Sequence, residues 1–228
     1  LIQDIRRIEE NFSIEEVIRG KTGFMGKIHY YHHHLCHLAS TWYPSGFKEA
    51  LVVSYDGIGE VETGLLAVGR EGSLNVFHEG CRYPDSLGLL YSAVTHYLGW
   101  RHHCDEGIVM GLASYGNPMT KVLGDNGRSY YEIFEEIVQE IGDYDYRINR
   151  DWIAYHQVRD KWVSDQFCSV FGEKRKVDGP LTQHHKDLAA GLQMRLETVV
   201  LAQLRRAQQH HGIDRLCLSG GVALNCSM

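Results

Sequence analysis

Apolar residues along this chain recur at two periods, and the switches between them divide it into elements. Ile5, Ile8, Phe12, Ile14 and Val17, spread through the charged stretch 3–19, have the spacing of a one-sided surface helix, which Gly23 and Gly26 then break. Lys27-Ile28-His29-Tyr30-Tyr31 predicts a short strand. Leu35, Leu38 and Ala39 give the next segment the apolar side of a helix that Pro44-Ser45-Gly46 ends. From Lys48 the period shortens to that of strands, at Ala50–Tyr55, Gly64–Val68 and Leu74–His78, the last two joined by a hairpin turn at Arg70-Glu71-Gly72-Ser73. Ser86 to Gly99 predicts a helix with Ser86 as N-cap and Gly99 as terminator. Gly107–Pro118, small and apolar, predicts a buried helix ending at a Gly-Asn-Pro turn. Residues 119–180 are the least periodic, dense in charge and aromatics, and read as an insertion, either one that shapes specificity or a solvated excursion. Leu188, Leu192, Leu196, Val199, Val200 and Leu204 form the core face of a long helix over 187–210, and Gly212–Ser219 predicts a buried strand.

Candidate chemistry gathers at Tyr31-His32-His33-His34-Leu35-Cys36-His37. In a helix opening near residue 33, His33 and His37 stand at i and i+4 and share one face; His32 cannot join them. Asp56 falls where the first strand gives way to glycine, a place from which a carboxylate projects. Two imidazoles and a carboxylate leave coordination positions open, which suits iron(II) if the site is octahedral or zinc with a bound water if tetrahedral. The competing reading is a solvated histidine turn. His34 stands where a zinc peptidase of the HExxH type needs its glutamate, so that chemistry is excluded. Gly57 and Gly59 follow Asp56 in a loop whose amides can approach a phosphate, although turns also use glycine for steric reasons. Gly220 and Gly221 follow a strand and open onto Val222-Ala223-Leu224-Asn225, a helix start that can cradle an anion or nucleotide. Arg101–Glu106 is rich in ligand types, but adjacent histidines diverge, so it reads as an exposed loop.

Composition narrows the classes. The net charge of −6 gives no electrostatic support to general nucleic-acid binding or to a polybasic membrane patch. No apolar run approaches the roughly 20 residues that cross a bilayer, and the first residues lack a signal-peptide core, so the expected location is cytoplasmic. The six cysteines are scattered with no CxxC pair, which fits reduced thiols. The chain begins without methionine inside a charged helical pattern and stops as a helix would begin, so both ends read as cuts in a longer protein.

Five linked stretches, His33–Ser40, Val53–Glu60, Ser86–Val94, Met110–Gly116 and Leu218–Asn225, resemble the O-carbamoyltransferases that act on nodulation factors and antibiotics. The likeness runs in order from about Gly26 to Met228. It implies an α/β fold of the actin-like/sugar-kinase (ribonuclease H-like) type with duplicated lobes, shared with the threonylcarbamoyl-transferase component of tRNA modification. Residues 1–46 would be the tail of the first lobe, with the start of the metal-binding helix, and 47–228 most of the second. It further implies that a separate C-terminal domain makes carbamoyl-adenylate from carbamoyl phosphate and ATP. The lobe present here then passes the carbamoyl group to a hydroxyl of a small-molecule or sugar acceptor. By the same resemblance His33, His37 and Asp56 hold a divalent metal, iron(II) with zinc or manganese as alternatives, and Gly220, Gly221 and Asn225 meet the nucleotide, with Gly57 and Gly59 beside its phosphate. Departures are equally informative. The first-lobe His-Asp loop, a later metal-binding aspartate and the adenylating domain are absent, and Ile108 stands where relatives carry lysine. No general base is identified, and this chain alone is expected to be an incomplete enzyme. The alternatives are the tRNA-modifying relative and a non-catalytic metal- or nucleotide-binding module.

Overall fold

The computed structural model describes residues 14–228, so Ile5, Ile8 and Phe12 of the first apolar stripe lie outside the described residues. The chain divides into two compact units, residues 1–31 and His32–Met228. In the first, helix α1 (Ile14–Thr22) buries none of its side chains and stops at Gly23, whose φ is +70°. The strand predicted over Lys27–Tyr31 is not formed. Among the described residues these five have no neighbouring strand, and alternating apolar residues make a strand only where a ladder partner is available.

The second unit is built on a four-stranded sheet of order β3-β2-β1-β6, with β1 Glu49–Tyr55, β2 Gly64–Arg70, β3 Ser73–His78 and β6 Leu216–Ser219. β1 runs antiparallel to β2, pairing Val53 with Leu66, and parallel to β6, pairing Val53 with Leu218. Both faces of β1 are covered, which is why Ala50 to Tyr55 reads as a continuous buried run and not as an alternation. On one face helix α2 (His33–Trp42) lays Leu38 and Trp42 against Ala50, Val52, Leu65 and Ala67. On the other lies the main core, formed with helix α3 (Leu87–Tyr97) and the long helix α7 (Gln183–His211). Ser86 caps α3 as predicted, its hydroxyl accepting from the Leu89 amide at 3.0 Å.

Three expectations change. Helix α4 (Glu106–Ala113) is buried along one face only: Val109, Leu112 and Ala113 are covered while Ile108 is half exposed, because apolar composition alone does not say how many sides are covered. Residues 119–180 are not a solvated excursion. They form α5 (Tyr130–Ile137), the hairpin β4 (Val138–Ile141) and β5 (Asp145–Ile148), and α6 (Asp165–Phe171), and they drive Phe134, Ile148, Trp152 and Phe167 into the main core. β6 is shorter than predicted, and after it Gly221–Leu224 is a single 3-10 turn. Among the described residues no helix is long and apolar enough to cross a membrane. All six cysteines are free.

Candidate metal centre

Helix α2 starts without help from its own N-cap, since His32 makes no side-chain cap bond. The Glu60 carboxylate, from the loop after β1, instead accepts the His33 amide at 3.0 and 3.3 Å, satisfying a free helix-end donor. Within that first turn, His34 is fully buried, on the same stripe as Leu38 and Trp42. Its ring is fixed by a chain of hydrogen bonds. The Leu65 amide donates to Ser54 Oγ (3.1 Å), the Ser54 hydroxyl donates to His34 Nδ1 (3.1 Å), and Nε2–H donates to the Glu62 carbonyl (2.9 Å). This order follows from the carbonyl being an acceptor only. Burial lowers the His34 pKa and keeps the ring neutral, as the chain requires. His34 is thus the peg that docks α2 on β1, a role that motif spacing does not reveal. Its signal was present: it stands four residues before Leu38 and eight before Trp42.

With α2 so seated, His33 and His37 turn to the side of the helix that overlooks the end of β1. Asp56 Oδ2 lies 2.9 Å from His33 Nε2 and 2.9 Å from His37 Nε2, and the two nitrogens are 3.0 Å apart. If each nitrogen carried a proton for the shared carboxylate oxygen, the two N–H groups would face one another, so hydrogen bonding alone does not account for the triangle. A divalent ion would. At metal–ligand distances of about 2.1 Å, neighbouring donors in an octahedron are roughly 3.0 Å apart, whereas in a tetrahedron they are roughly 3.4 Å apart. The donor set and its spacing fit the octahedral alternative, a facial set of two imidazoles and a carboxylate with open positions.

Asp56 is held from behind. Its Oδ1 accepts from the Gly57 amide at 2.7 Å and from the Gly221 amide at 3.2 Å. Burial, the largest single influence, raises its pKa, but hydrogen bonds from His33, Gly57, His37 and Gly221 together outweigh it and leave the carboxyl below its ordinary value. Of the diglycine, Gly221 therefore orients Asp56. Gly220 serves chain packing: a Cβ there would lie 2.2 Å from the Tyr55 carbonyl oxygen. Gly59 does likewise, since its Cβ would meet the His34 ring at 2.8 Å.

Beside Asp56 opens a cleft of about 490 Å³. Of the glycines and amide singled out as nucleotide contacts, Gly57, Gly221 and Asn225 line it, whereas Gly59 and Gly220 do not. The Asn225 amide is paired face to face with the Gln193 amide (2.8 and 2.9 Å), and Gln193 also accepts from the Tyr91 hydroxyl at 2.9 Å. His103 and Cys104 of the exposed loop, and Glu106 at the start of α4, stand in the cleft wall. The Glu106 carboxylate accepts from the Ser92 hydroxyl at 2.5 Å and from the His103 amide at 2.6 Å. Ser92 was hidden in the sequence because it sits in the middle of an apolar helix, where a serine reads as filler.

Comparison with known proteins gives the family. A family model described as carbamoyltransferase N-terminus matches residues 6–228. The nodulation protein NolNO of Sinorhizobium fredii is 40% identical over 205 residues, covering 89% of this chain and 26% of the relative. NolO of Bradyrhizobium diazoefficiens is 37% identical over 198 residues, 86% of this chain and 32% of the relative. An uncharacterized Synechocystis protein is 37% identical over 195 residues, 85% of this chain and 30% of the relative. The chain thus spans about a third or less of the length of these relatives.

Proposed function

The chain belongs to the carbamoyltransferase family, being matched over residues 6–228, and on that premise we propose that it is the metal-holding part of an O-carbamoyltransferase. It receives carbamoyl-adenylate, made from carbamoyl phosphate and ATP by another part of the longer protein, and delivers the carbamoyl group to a hydroxyl of a small-molecule or sugar acceptor. The observation that carries this reading is the triangle of His33, His37 and Asp56, spaced for an octahedral ion at the edge of a cleft of about 490 Å³, a volume suited to a nucleotide-sized ligand. The two nodulation proteins among the relatives favour this branch over the tRNA-modifying one. The sheet order, two antiparallel neighbours and then a parallel one, supports a lobe of the actin-like/sugar-kinase fold.

Within this reading His33, His37 and Asp56 hold the divalent metal, iron(II) on the donor set. When bound, it supplies Lewis-acid stabilisation of charge on the adenylate phosphate and the reacting carbonyl. The chain's own contributions are positional. Gly221 fixes Asp56 by its amide, Gly57 and Gly221 keep the wall beside Asp56 free of side chains, and the Glu106 carboxylate offers an acceptor for sugar hydroxyls inside the cleft.

The test is metal content and turnover together. After anaerobic loading with iron(II), elemental analysis of this chain should find an ion that His37→Ala loses. The same substitution in the full-length protein should cut carbamoyl transfer from carbamoyl phosphate and ATP at least 100-fold. Undiminished transfer by the metal-free variant would refute the reading.

A further inference from the structure

A second set of donors lies next to the first, on the other side of the loop that follows β1. His32 Nε2 is 3.4 Å from Glu62 Oε2 and 3.5 Å from Glu60 Oε2, and among the described residues these three and the His33–His37–Asp56 set are the groups whose ligand atoms lie within 4.8 Å of one another. The set is mixed, one imidazole and two carboxylates, and both carboxylates have a further partner. Glu60 is fixed by the His33 amide, Glu62 is largely buried and keeps its other oxygen 3.4 Å from Arg82, and His32 precedes the first turn of α2.

The distances fall within the ion-pair range but are not those of a close hydrogen bond. A charge-assisted hydrogen bond brings N and O to about 2.7–2.9 Å, and both contacts here are longer. Tetrahedral zinc, with ligand distances of about 2.0–2.1 Å, holds its donors roughly 3.3–3.4 Å apart. The two contacts of His32 match that edge, as the first centre matches an octahedral one. His32 also has a buried Nδ1 without a hydrogen-bond partner, so no neighbour competes for the ring by holding it in another orientation. Two carboxylates face one imidazole, and a dication resolves the charge that a single shared proton leaves.

We infer that His32, Glu60 and Glu62 form a second divalent-cation site, of zinc type, separate from the His33–His37–Asp56 centre. Its effect is mechanical. An ion there ties the residue before α2 to the 57–62 loop, the same loop whose Glu60 caps α2 and whose Glu62 carbonyl holds His34. The brace therefore fixes the angle at which α2 presents His33 and His37.

The site is tested on this chain by zinc titration with elemental analysis, and by visible absorption with cobalt(II), which absorbs strongly in tetrahedral sites and weakly in octahedral ones. Wild type should take up two ions per chain, with the intense absorption. Glu62→Gln, nearly isosteric, should bind one ion and lose the absorption, and His32→Gln should behave the same, each keeping wild-type circular dichroism. His37→Ala should also bind one ion but keep the absorption. Loss of the absorption in Glu62→Gln and His32→Gln with no ion lost in His37→Ala would leave this site standing and remove the first. Zinc and cobalt uptake by Glu62→Gln and His32→Gln equal to wild type, at whatever stoichiometry, would overturn the proposal and leave the three residues as an ion pair only.

Discussion

Four consecutive or near-consecutive histidines take three different jobs here, and the difference lies in which way each points. His33 and His37 face Asp56, His34 faces the core, and His32 faces Glu60 and Glu62. The i, i+4 pair was legible from spacing alone, and so was Asp56 from its place at a strand end. The core role of His34 needed the helix to be phased against Leu38 and Trp42, which a motif reading skips. The purpose of the diglycine was harder to see, because the amide of Gly221 answers a side chain 165 positions earlier in the chain. A Cβ at Gly221 would lie 2.7 Å from Asp56 Oδ1. Gly221→Ala should therefore weaken iron(II) binding by roughly 10–100-fold, the usual cost of disturbing a ligand's orienting partner, while circular dichroism stays unchanged. Metal affinity equal to wild type would mean that Gly57 alone orients the carboxylate.

Among the elements, the ones read correctly were those long enough to show their period or framed by a cap. The strands of the β1–β3 meander, α3 behind Ser86 and the long α7 all belong to that group. The segment from 119 to 180 did not, because its apolar residues are divided among two short helices and a hairpin of two four-residue strands, none of which fills a periodic window. Its aromatics are nonetheless core: Trp152 is fully buried, its indole N–H donates to Glu136 at 3.1 Å, and its ring lies against Phe167 and Phe171. Trp152→Ala should cost about 3–5 kcal/mol of unfolding free energy, as large aromatic deletions do in packed cores. Urea unfolding followed by far-ultraviolet circular dichroism measures this. A loss under about 1 kcal/mol would mean that the segment is peripheral to the core after all.

For the molecule as a whole, acid should be the main destabilising condition. Burial, the leading cause in each case, lowers the pKa values of His34, His96, His102, His156, His184 and His185, and that of His96 falls to about 4, with Lys174 adding to it. The unfolded chain takes up protons on these rings near pH 6.5, its ordinary value, while the folded chain refuses them. Stability is accordingly complete above that pH and is lost progressively as the pH falls from about 6.5 towards 4. The lowered carboxyls of Asp56, Asp105 and Asp125 push in the same direction at still lower pH. Urea midpoints at pH 8, 6.5 and 5 should be nearly equal for the first two and clearly lower at the third. A midpoint unchanged at pH 5 would show that the rings are not kept from protonation in solution. None of this was visible in the histidine count, which gives the number of titrating groups but not which of them lose contact with water.

Asp56 reaches in two directions, one oxygen towards α2 and the other towards the turn after β6, so it works as a rivet between them. Charge drawn from the outward oxygen by an ion leaves less for the inward one, which loosens the rivet at Gly221; clamping that turn tightens it and stiffens the outward grip. Whatever shifts the stretch after β6 would therefore be felt at His33 and His37, by a linkage only one side chain long.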